Sequence, residues 1–239
     1  MNNQLDFYLT AEQECNYLDK QSQNVFLDPT VAPSIIEYQK LLELGFRRSG
    51  SNVYRPHCSK CNSCLSIRVD VANFSPRTSQ KRCLKKNQDI YYQATISKFS
   101  QEHFDLYIKY LNSRHLGDGM DDSTEKDYMN FLGCSWGMTE FIEFRLKEDD
   151  KLVSVAVTDV VNNALSSVYT FFDIEPEYHK RSLGVFCILS QIEYAKSKNL
   201  DWVYLGYWIK ENQKMSYKNQ YKPAQVLFDN QWLSLDNFM

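Results

Sequence analysis

Three strand-like segments, one long helix and a further strand follow one another in the second half of the chain. This order restricts the fold more than any other feature. The segments TEFIEFRL (139–146), KLVSVAVTDVV (151–161) and ALSSVYTFFD (164–173) are rich in β-branched and aromatic residues, and the turn signals EDD and NN separate them. A helix is predicted over 182–198 and a strand over 201–208. We expect an α+β protein whose C-terminal sheet is mixed and mostly antiparallel.

The first half predicts a smaller α/β domain. Apolar residues at helical spacing in SIIEYQKLLEL (34–44) indicate a helix that ends at Gly45. LSIRVDV (65–71) alternates as a half-buried strand does, and Ser75 with Pro76 announces a second helix over about 76–87. The most natural division falls near residue 98, giving domains of 1–98 and 99–239.

Positive charge is concentrated in residues 47–86. This stretch carries ten Lys or Arg residues against one acid, a net charge of +9, in a chain whose total charge is −3. A solvated basic face is one interpretation, and contact with the phosphates of a nucleic acid is the favoured one. The predicted contact residues are Arg47, Arg48, Lys81, Arg82, Lys85 and Lys86.

The same stretch contains three cysteines at CxxCxxC spacing, Cys58, Cys61 and Cys64. Thiolates are ligands for zinc and for iron–sulfur clusters, and such sites usually need four ligands. Cys15 is the first candidate for the fourth ligand and His57 is the rival. The pattern favours a metal or cluster site over free thiols, and it does not decide between zinc and iron–sulfur.

The composition predicts a folded protein that is not inserted in a membrane. Hydrophobic residues make up 43% of the chain, and no apolar run is long enough to span a bilayer. The first residues, MNNQLDFYLT, lack a basic segment followed by an apolar one. We therefore expect a cytoplasmic protein with no membrane partner.

The order of strands and helix in the second half resembles the Gcn5-related N-acetyltransferase (GNAT) fold. In that superfamily the turn that opens the long helix grips the coenzyme A pyrophosphate. Here the turn reads RSLGVF, with Phe186 where a small residue is wanted. The resemblance thus implies an acetyltransferase-like fold with a donor other than coenzyme A.

Motifs along nearly the whole chain resemble those of the bacterial aspartate/glutamate leucyl-tRNA–protein transferases, which are relatives of the eukaryotic arginyl-tRNA–protein transferases. They include ECNYL, GFRRSGSNVYRPHCSKCNSC, AVTDVVNNALSSVYTFFD and YLGYWIKENQKMSYKNQYKPAQVL. The eukaryotic relatives carry a CxxC pair where this chain has Cys15 and Leu18, so their cluster-ligand set does not carry over.

The resemblance implies transfer of leucine from leucyl-tRNA to the α-amino group of proteins that begin with Asp or Glu, marking them for degradation. An arginyl-tRNA donor with the same acceptors is the first alternative. An acetyl-coenzyme A-dependent N-acetyltransferase and a non-enzymatic, zinc-dependent nucleic-acid-binding module are the others. The transfer itself needs no cofactor, because the ester is already activated.

Candidate residues for this chemistry lie mostly after residue 150. The catalytic candidates are Asp159, Ser167, Tyr169 and Tyr207, with His115 as a further possible base. Ser167 and Tyr169 are predicted to share one face of a strand, and Tyr207 is chosen by analogy with the GNAT general acid. The candidates for binding the acceptor carboxylate are Arg77, Lys214 and Lys218. Each has a structural alternative, as a turn former, core aromatic or surface lysine.

Overall fold

A computed structural model describes residues 5–114 and 123–239. Fourteen strands fall within these ranges: β1 (Phe7–Leu9), β2 (Gln13–Glu14), β3 (Gln21–Ser22), β4 (Asn24–Leu27), β5 (Arg47–Ser49), β6 (Asn52–Pro56), β7 (Leu65–Asp70), β8 (Ile90–Ile96), β9 (Thr139–Leu146), β10 (Leu152–Val160), β11 (Ala164–Phe172), β12 (Trp202–Trp208), β13 (Ala224–Phe228) and β14 (Gln231–Ser234). They form a four-stranded sheet, an eight-stranded sheet and a two-stranded ribbon.

In the described part of the chain, six α-helices accompany the strands: α1 (Ile35–Glu43), α2 (Thr78–Lys86), α3 (Gln101–Arg114), α4 (Glu125–Leu132), α5 (Leu183–Ser197) and α6 (Gln213–Ser216). Ser34 begins α1 with a capping box, as its position before the apolar run predicts. Helix α2 starts later than expected, because Arg77 rather than Ser75 is its N-cap residue and the Gln80 side chain accepts from the Arg77 N–H. Within the described part of the chain, no helix is long and apolar enough to cross a bilayer.

The eight-stranded sheet has the order β14-β13-β7-β12-β11-β10-β9-β8. Only β11 and β12 pair in parallel, so the prediction of a mixed, mostly antiparallel sheet within an α+β protein is confirmed. Strand β7 lies between β12 and β13, and β8 pairs with β9, although both strands precede residue 98. The predicted division near residue 98 therefore does not separate two sheets.

Layers on both faces of this sheet form the core. Helix α5 covers one face, where Leu183, Phe186 and Ile192 pack with Val203 and Leu205 of β12. Helices α3 and α4 cover the other face over β9, β10 and β11. Helix α1 and the four-stranded sheet cover that same face nearer β12. The junction between these last two groups lies over β11 and β12.

Candidate functional site

Strands β11 and β12 pair over a short length and then separate. Ala164 to Ser166 pair with Trp202 to Tyr204, and no pairing between the two strands continues beyond Ser166. The Arg47 side chain lies in this gap, where its Nη2 atom donates to the Ser167 carbonyl oxygen at 2.7 Å. The gap thus places a half-buried guanidinium between two strands of the main sheet.

Gly206 of β12 makes room for this guanidinium. A Cβ atom at position 206 would lie 1.7 Å from Arg47 Nη1, and the backbone there has a φ of +84°. Both facts require glycine, since other residues rarely adopt this φ and would displace Arg47. Gly206 also coincides with a shift in the pairing of β12 with β7.

Lys218 is the second cation of the gap. Its side chain is 5% exposed, and Nζ donates to the Tyr207 carbonyl oxygen at 2.6 Å. Burial and the nearby charge of Arg47 lower the pKa of Lys218 to about 7. Across residues 5–114 and 123–239, neither Arg47 nor Lys218 forms an ion pair with a carboxylate. Two sequestered cations without an acidic partner form a site suited to an anion.

An aromatic ring lies near each of the two cations. The Arg47 guanidinium carbon is 5.9 Å from the centre of the Tyr207 ring, and Lys218 Nζ is 5.9 Å from that of Tyr217. Burial raises the pKa of Tyr217, and the charge of Arg47 opposes this effect. The Tyr207 ring is buried, and it shields the Arg47 guanidinium from water on one side, which strengthens the electrostatic interactions of that cation.

The Tyr207 hydroxyl is engaged with the main chain. It is hydrogen-bonded to the Gly45 carbonyl oxygen at 3.0 Å, and the Tyr54 carbonyl oxygen is 3.3 Å away. Burial raises its pKa well above the usual value. With its only proton directed at carbonyl oxygens, Tyr207 is better placed to form the wall of the site than to act as the expected general acid.

A cavity of about 570 Å³ adjoins the gap at Tyr207. Its walls come from the segment after β2, the cysteine loop, β6 and the turn between β13 and β14. The lining residues include Tyr17, Leu44, Tyr54, Leu65, Leu227 and Phe228. A chamber of this size holds a small-molecule ligand or the end of a larger one.

All four predicted metal ligands line this cavity, as does the rival His57. Burial, followed by the charges of the other three cysteines, raises the pKa of Cys64 to about 12. For Cys61, hydrogen bonds from Ser63 and the charge of Lys20 outweigh burial and lower the pKa.

The residue types fit zinc or an iron–sulfur cluster. However, within the ranges that the structure covers, no three His, Cys, Asp or Glu residues are arranged to hold a metal ion. The cysteines therefore have the right ligand type and line one cavity, but their positions do not form a metal site. A bound metal or cluster stays a prediction.

Asp159 and Arg48 form a buried ion pair beneath α1. Arg48 Nε and Asp159 Oδ2 are 2.6 Å apart, and the two side chains are 0% and 2% exposed. Tyr38 and Thr139 also donate to this carboxylate. Asp159 is thus out of reach of a substrate, and Arg48 is out of reach of a phosphate. The burial of both side chains contradicts both expectations, and the ion pair has a structural role.

Ser167 and Tyr169 do not share a face of β11. Ser167 lies opposite Thr158 and Tyr169 lies opposite Val157, because β11 bulges at the residue between them. Residues that follow one another in β10 point to opposite faces, so Ser167 and Tyr169 do too. Tyr169 packs against Phe131 and Tyr107 on the α3–α4 side.

The remaining candidates lie elsewhere on the surface. Arg77 is hydrogen-bonded to Gln220, and Lys214 is exposed on α6. The exposed cations of α2 are Lys81, Arg82, Lys85 and Lys86, and Lys86 Nζ donates to the Lys180 carbonyl oxygen. His115 lies outside the described residues.

The start of α5 is covered by α2. Cys83 Sγ lies 3.6 Å from the carbonyl oxygens of Arg181 and Ser182, and Asn87 donates to the Arg181 oxygen. The Phe186 ring packs in the core against Phe144. Phe186 was expected to obstruct a pyrophosphate at the start of α5. In the structure α2 occupies that position, and the Phe186 side chain lies in the core.

Sequence reasoning missed the role of Gly206 and Tyr217 and assigned Arg47 to a phosphate surface. The sequence did contain one signal for the different positions of Arg47 and Arg48. Arg47 and Arg48 are adjacent in a segment that forms β5, and adjacent strand residues point to opposite sides. One arginine therefore enters the core and the other reaches the gap.

Comparison with known proteins gives two matching family models. The one described as "Arginine-tRNA-protein transferase, C terminus" matches residues 102–228, and the corresponding N-terminus model matches residues 13–82.

Curated relatives match over nearly the full length. The aspartate/glutamate leucyltransferase of Saccharophagus degradans is 46% identical over 233 residues, covering 97% of this chain and 98% of the relative. That of Nitrosococcus oceani is 48% identical over 228 residues, covering 95% and 94%. Among solved structures, L-PGS from Bacillus licheniformis is 11% identical with a TM-score of 0.44, covering 61% of this chain and 47% of that one.

Proposed function

Because this chain belongs to the arginine-tRNA-protein transferase family, we propose that it transfers leucine from leucyl-tRNA to the α-amino group of proteins that begin with Asp or Glu. The leucine donor and the acidic acceptors follow the names of the curated relatives. The reaction takes place in the cytoplasm, where charged tRNA is found.

The observation that carries this proposal is the pair of cations in the gap between β11 and β12, which have no acidic partner among the residues that the structure describes. Arg47 presents a planar fork that matches a carboxylate. Lys218, whose pKa is lowered to about 7, adds a further donor, and a carboxylate bound beside it favours its charged form. An acceptor side chain with a carboxylate supplies the missing negative charge. Asn or Gln at the first position would leave both cations unpaired, so the site favours Asp and Glu.

The chemistry at this site is acyl transfer. The acceptor ammonium loses a proton, which costs little near neutral pH because a free α-amine has a pKa of about 7.7–8. The amine nitrogen attacks the ester carbonyl, a C–N bond forms and the C–O bond to the tRNA 3′ oxygen breaks. That oxygen takes up a proton as it leaves.

Positioning accounts for much of the acceleration. Holding the acidic side chain on Arg47 and Lys218 fixes the amine a few bonds away, which converts the attack into an effectively unimolecular step. The structure supports this role for the two cations better than it supports a side-chain base, since Asp159 is buried in its ion pair. The tRNA phosphates contact the exposed cations of α2.

One transfer assay tests the proposal. Purified protein is incubated with tRNA charged with radiolabelled leucine or arginine and with peptides that begin with Asp, Glu, Asn, Gln, Arg or Lys. We expect leucine to be transferred to the Asp and Glu peptides and not to the other four. Absence of leucine transfer to either acidic peptide, or preferential transfer of arginine, would refute the proposal.

A further inference from the structure

One wall of the cavity beside Tyr207 is built from apolar side chains that are not fully buried. Leu44 is 50% exposed, and Leu65, Leu227 and Phe228 are half-buried. Gly45, with a φ of +85°, lets Leu227 approach, because a Cβ atom at position 45 would lie 2.8 Å from Leu227 Cδ2. An apolar ligand on this wall would remove all four side chains from water.

The cavity and the anion site share Tyr207. Its ring lines the cavity and lies 5.9 Å from the Arg47 guanidinium carbon, and its carbonyl oxygen accepts from Lys218. When an acceptor carboxylate is held by the two cations, its amine lies within a few bonds of them. The donor carbonyl must then be next to the amine, so the donor side chain extends from the shared wall into the cavity.

The charge of the cavity opposes a cationic side chain. Lys20 and Arg55 line it, whereas Asp229 is the single acid among its described lining residues. An arginyl side chain would bring a further positive charge next to these basic residues. A cation removed from water without a paired carboxylate is unfavourable, whereas a leucyl side chain needs no polar partner.

We propose, on the basis of the proposed function, that this cavity is the pocket for the donor's leucyl side chain and that its basic lining rejects an arginyl donor. Leu44, Leu65 and Leu227 are then the residues that determine donor specificity. Cys15, Cys58, Cys61 and Cys64 line the same cavity.

A charge introduced into the apolar wall tests the assignment. Leu227→Glu places a carboxylate in the pocket, and Leu227→Gln is the matched variant of equal size without the charge. For each, kcat/KM is measured with leucyl-tRNA and arginyl-tRNA and one Asp-initiated peptide. We expect Leu227→Glu to raise the arginyl-to-leucyl ratio by at least tenfold over the wild type, and Leu227→Gln to raise it much less.

Two further variants complete the design. Ile36→Glu adds the same charge on an exposed face of α1 outside the cavity, and its ratio should equal that of the wild type. Leu44→Glu replaces Leu227→Glu if the latter does not unfold cooperatively, because Leu44 is already half exposed.

The outcomes separate the two proposals. If the wild type transfers leucine to acidic peptides but the ratio stays unchanged in the folded Leu227→Glu and Leu44→Glu variants, the pocket assignment is overturned and the proposed function stands. If the wild type transfers no leucine, the proposed function fails first. A binding measurement adds a readout without turnover: a non-hydrolysable 3′-leucylamido-adenosine should bind at least tenfold more tightly than the arginyl analogue, and equal affinities would overturn the assignment.

Discussion

In the proposed function, Arg47 is the residue on which acceptor recognition depends most directly. It lies between two strands and is hydrogen-bonded to main-chain carbonyl oxygens, with no carboxylate partner in the described ranges. Its neighbour in the sequence, Arg48, has the opposite environment and a full set of partners. In this proposal, one arginine binds the acceptor and the adjacent arginine stabilises the fold.

Removing the Arg47 guanidinium should weaken acceptor binding. We expect Arg47→Ala to lower kcat/KM for an Asp-initiated peptide by about ten- to a hundredfold, since a hydrogen bond to a charged group contributes about 1.5–3 kcal/mol. Gly206→Ala should have a similar effect, because its Cβ atom would displace Arg47. The control is Lys222→Ala, which loses only an exposed ion pair with Asp236. Unchanged peptide kinetics in both gap variants would contradict this assignment.

Breaking the buried ion pair should destabilise the fold. Asp159→Asn leaves the Arg48 charge buried and partly unpaired, so we expect the free energy of unfolding to fall by about 3–5 kcal/mol. Asp236→Asn breaks an exposed pair with Lys222 and should cost less than about 1 kcal/mol. Chemical denaturation measures both, and equal losses would show that burial does not distinguish the two pairs.

At the scale of single elements, helix α2 combines two faces with different tasks. Gln80 and Cys83 are buried, and Cys83 packs against the start of α5. The charged residues Lys81, Arg82, Lys85 and Lys86 are exposed. The basic face can therefore be altered without disturbing the packed one.

Charge reversal on that face should affect tRNA and little else. We expect the double variant Lys81→Glu/Lys85→Glu to bind tRNA more weakly and to show a shallower dependence of log affinity on log salt, by roughly 0.9 for each phosphate that the variant no longer neutralises. Lys40→Glu, an exposed change on α1, is the control. Filter binding over a range of salt concentrations measures the slope, and an unchanged slope would exclude α2 from the tRNA-binding surface.

Helix α3 introduces a pH dependence through His103. The side chain is 2% exposed and its Nε2 atom lies 2.8 Å from Glu143 Oε1. Burial lowers the pKa of His103 below its ordinary value of 6.5, although Glu143 and Glu102 oppose this and Arg145 adds to it. The fold therefore favours the neutral imidazole.

The sign of the effect follows from that direction. Below pH 6.5 the unfolded chain binds a proton at this histidine before the folded chain does, so the stability contributed by the neutral form is lost as the pH falls towards the folded pKa. The slope from this group is at most about 1.4 kcal/mol per pH unit. In urea titrations between pH 7 and 5, His103→Gln should lose stability less steeply than the wild type. Identical slopes would assign the pH dependence to other groups.

At the scale of the whole molecule, the sequence predicted the elements that depend on local patterns better than it predicted contacts between residues far apart in the chain. Helices α1 and α5 and strands β9 to β11 follow from spacing and turn signals, because these act over a few residues. The Arg48–Asp159 pair joins residues 111 apart, and no local pattern announces it. The bulge in β11 was not predicted either, because it depends on the pairing with β10. It places Ser167 and Tyr169 on opposite faces of the strand.

The position of β7 predicts how the chain behaves when it is divided. Residues 99–239 expressed alone would lack both β7 and β8, leaving β12 and β13 without a shared neighbour. We expect this fragment to show no cooperative thermal transition, and co-expression with residues 1–98 to restore one. Circular dichroism and co-purification measure the result. A fragment 99–239 that melts cooperatively on its own would contradict this prediction.

The place of β7 also has a consequence for how the protein is made. On the ribosome, β7 emerges long before β12 and β13, between which it finally lies. Until the last part of the chain has been synthesised, Ile67 and Val69, which are 0% exposed in the finished fold, have no permanent neighbours. For most of its synthesis, the nascent chain therefore exposes an apolar strand that is prone to premature association. In cells, chaperones prevent such association.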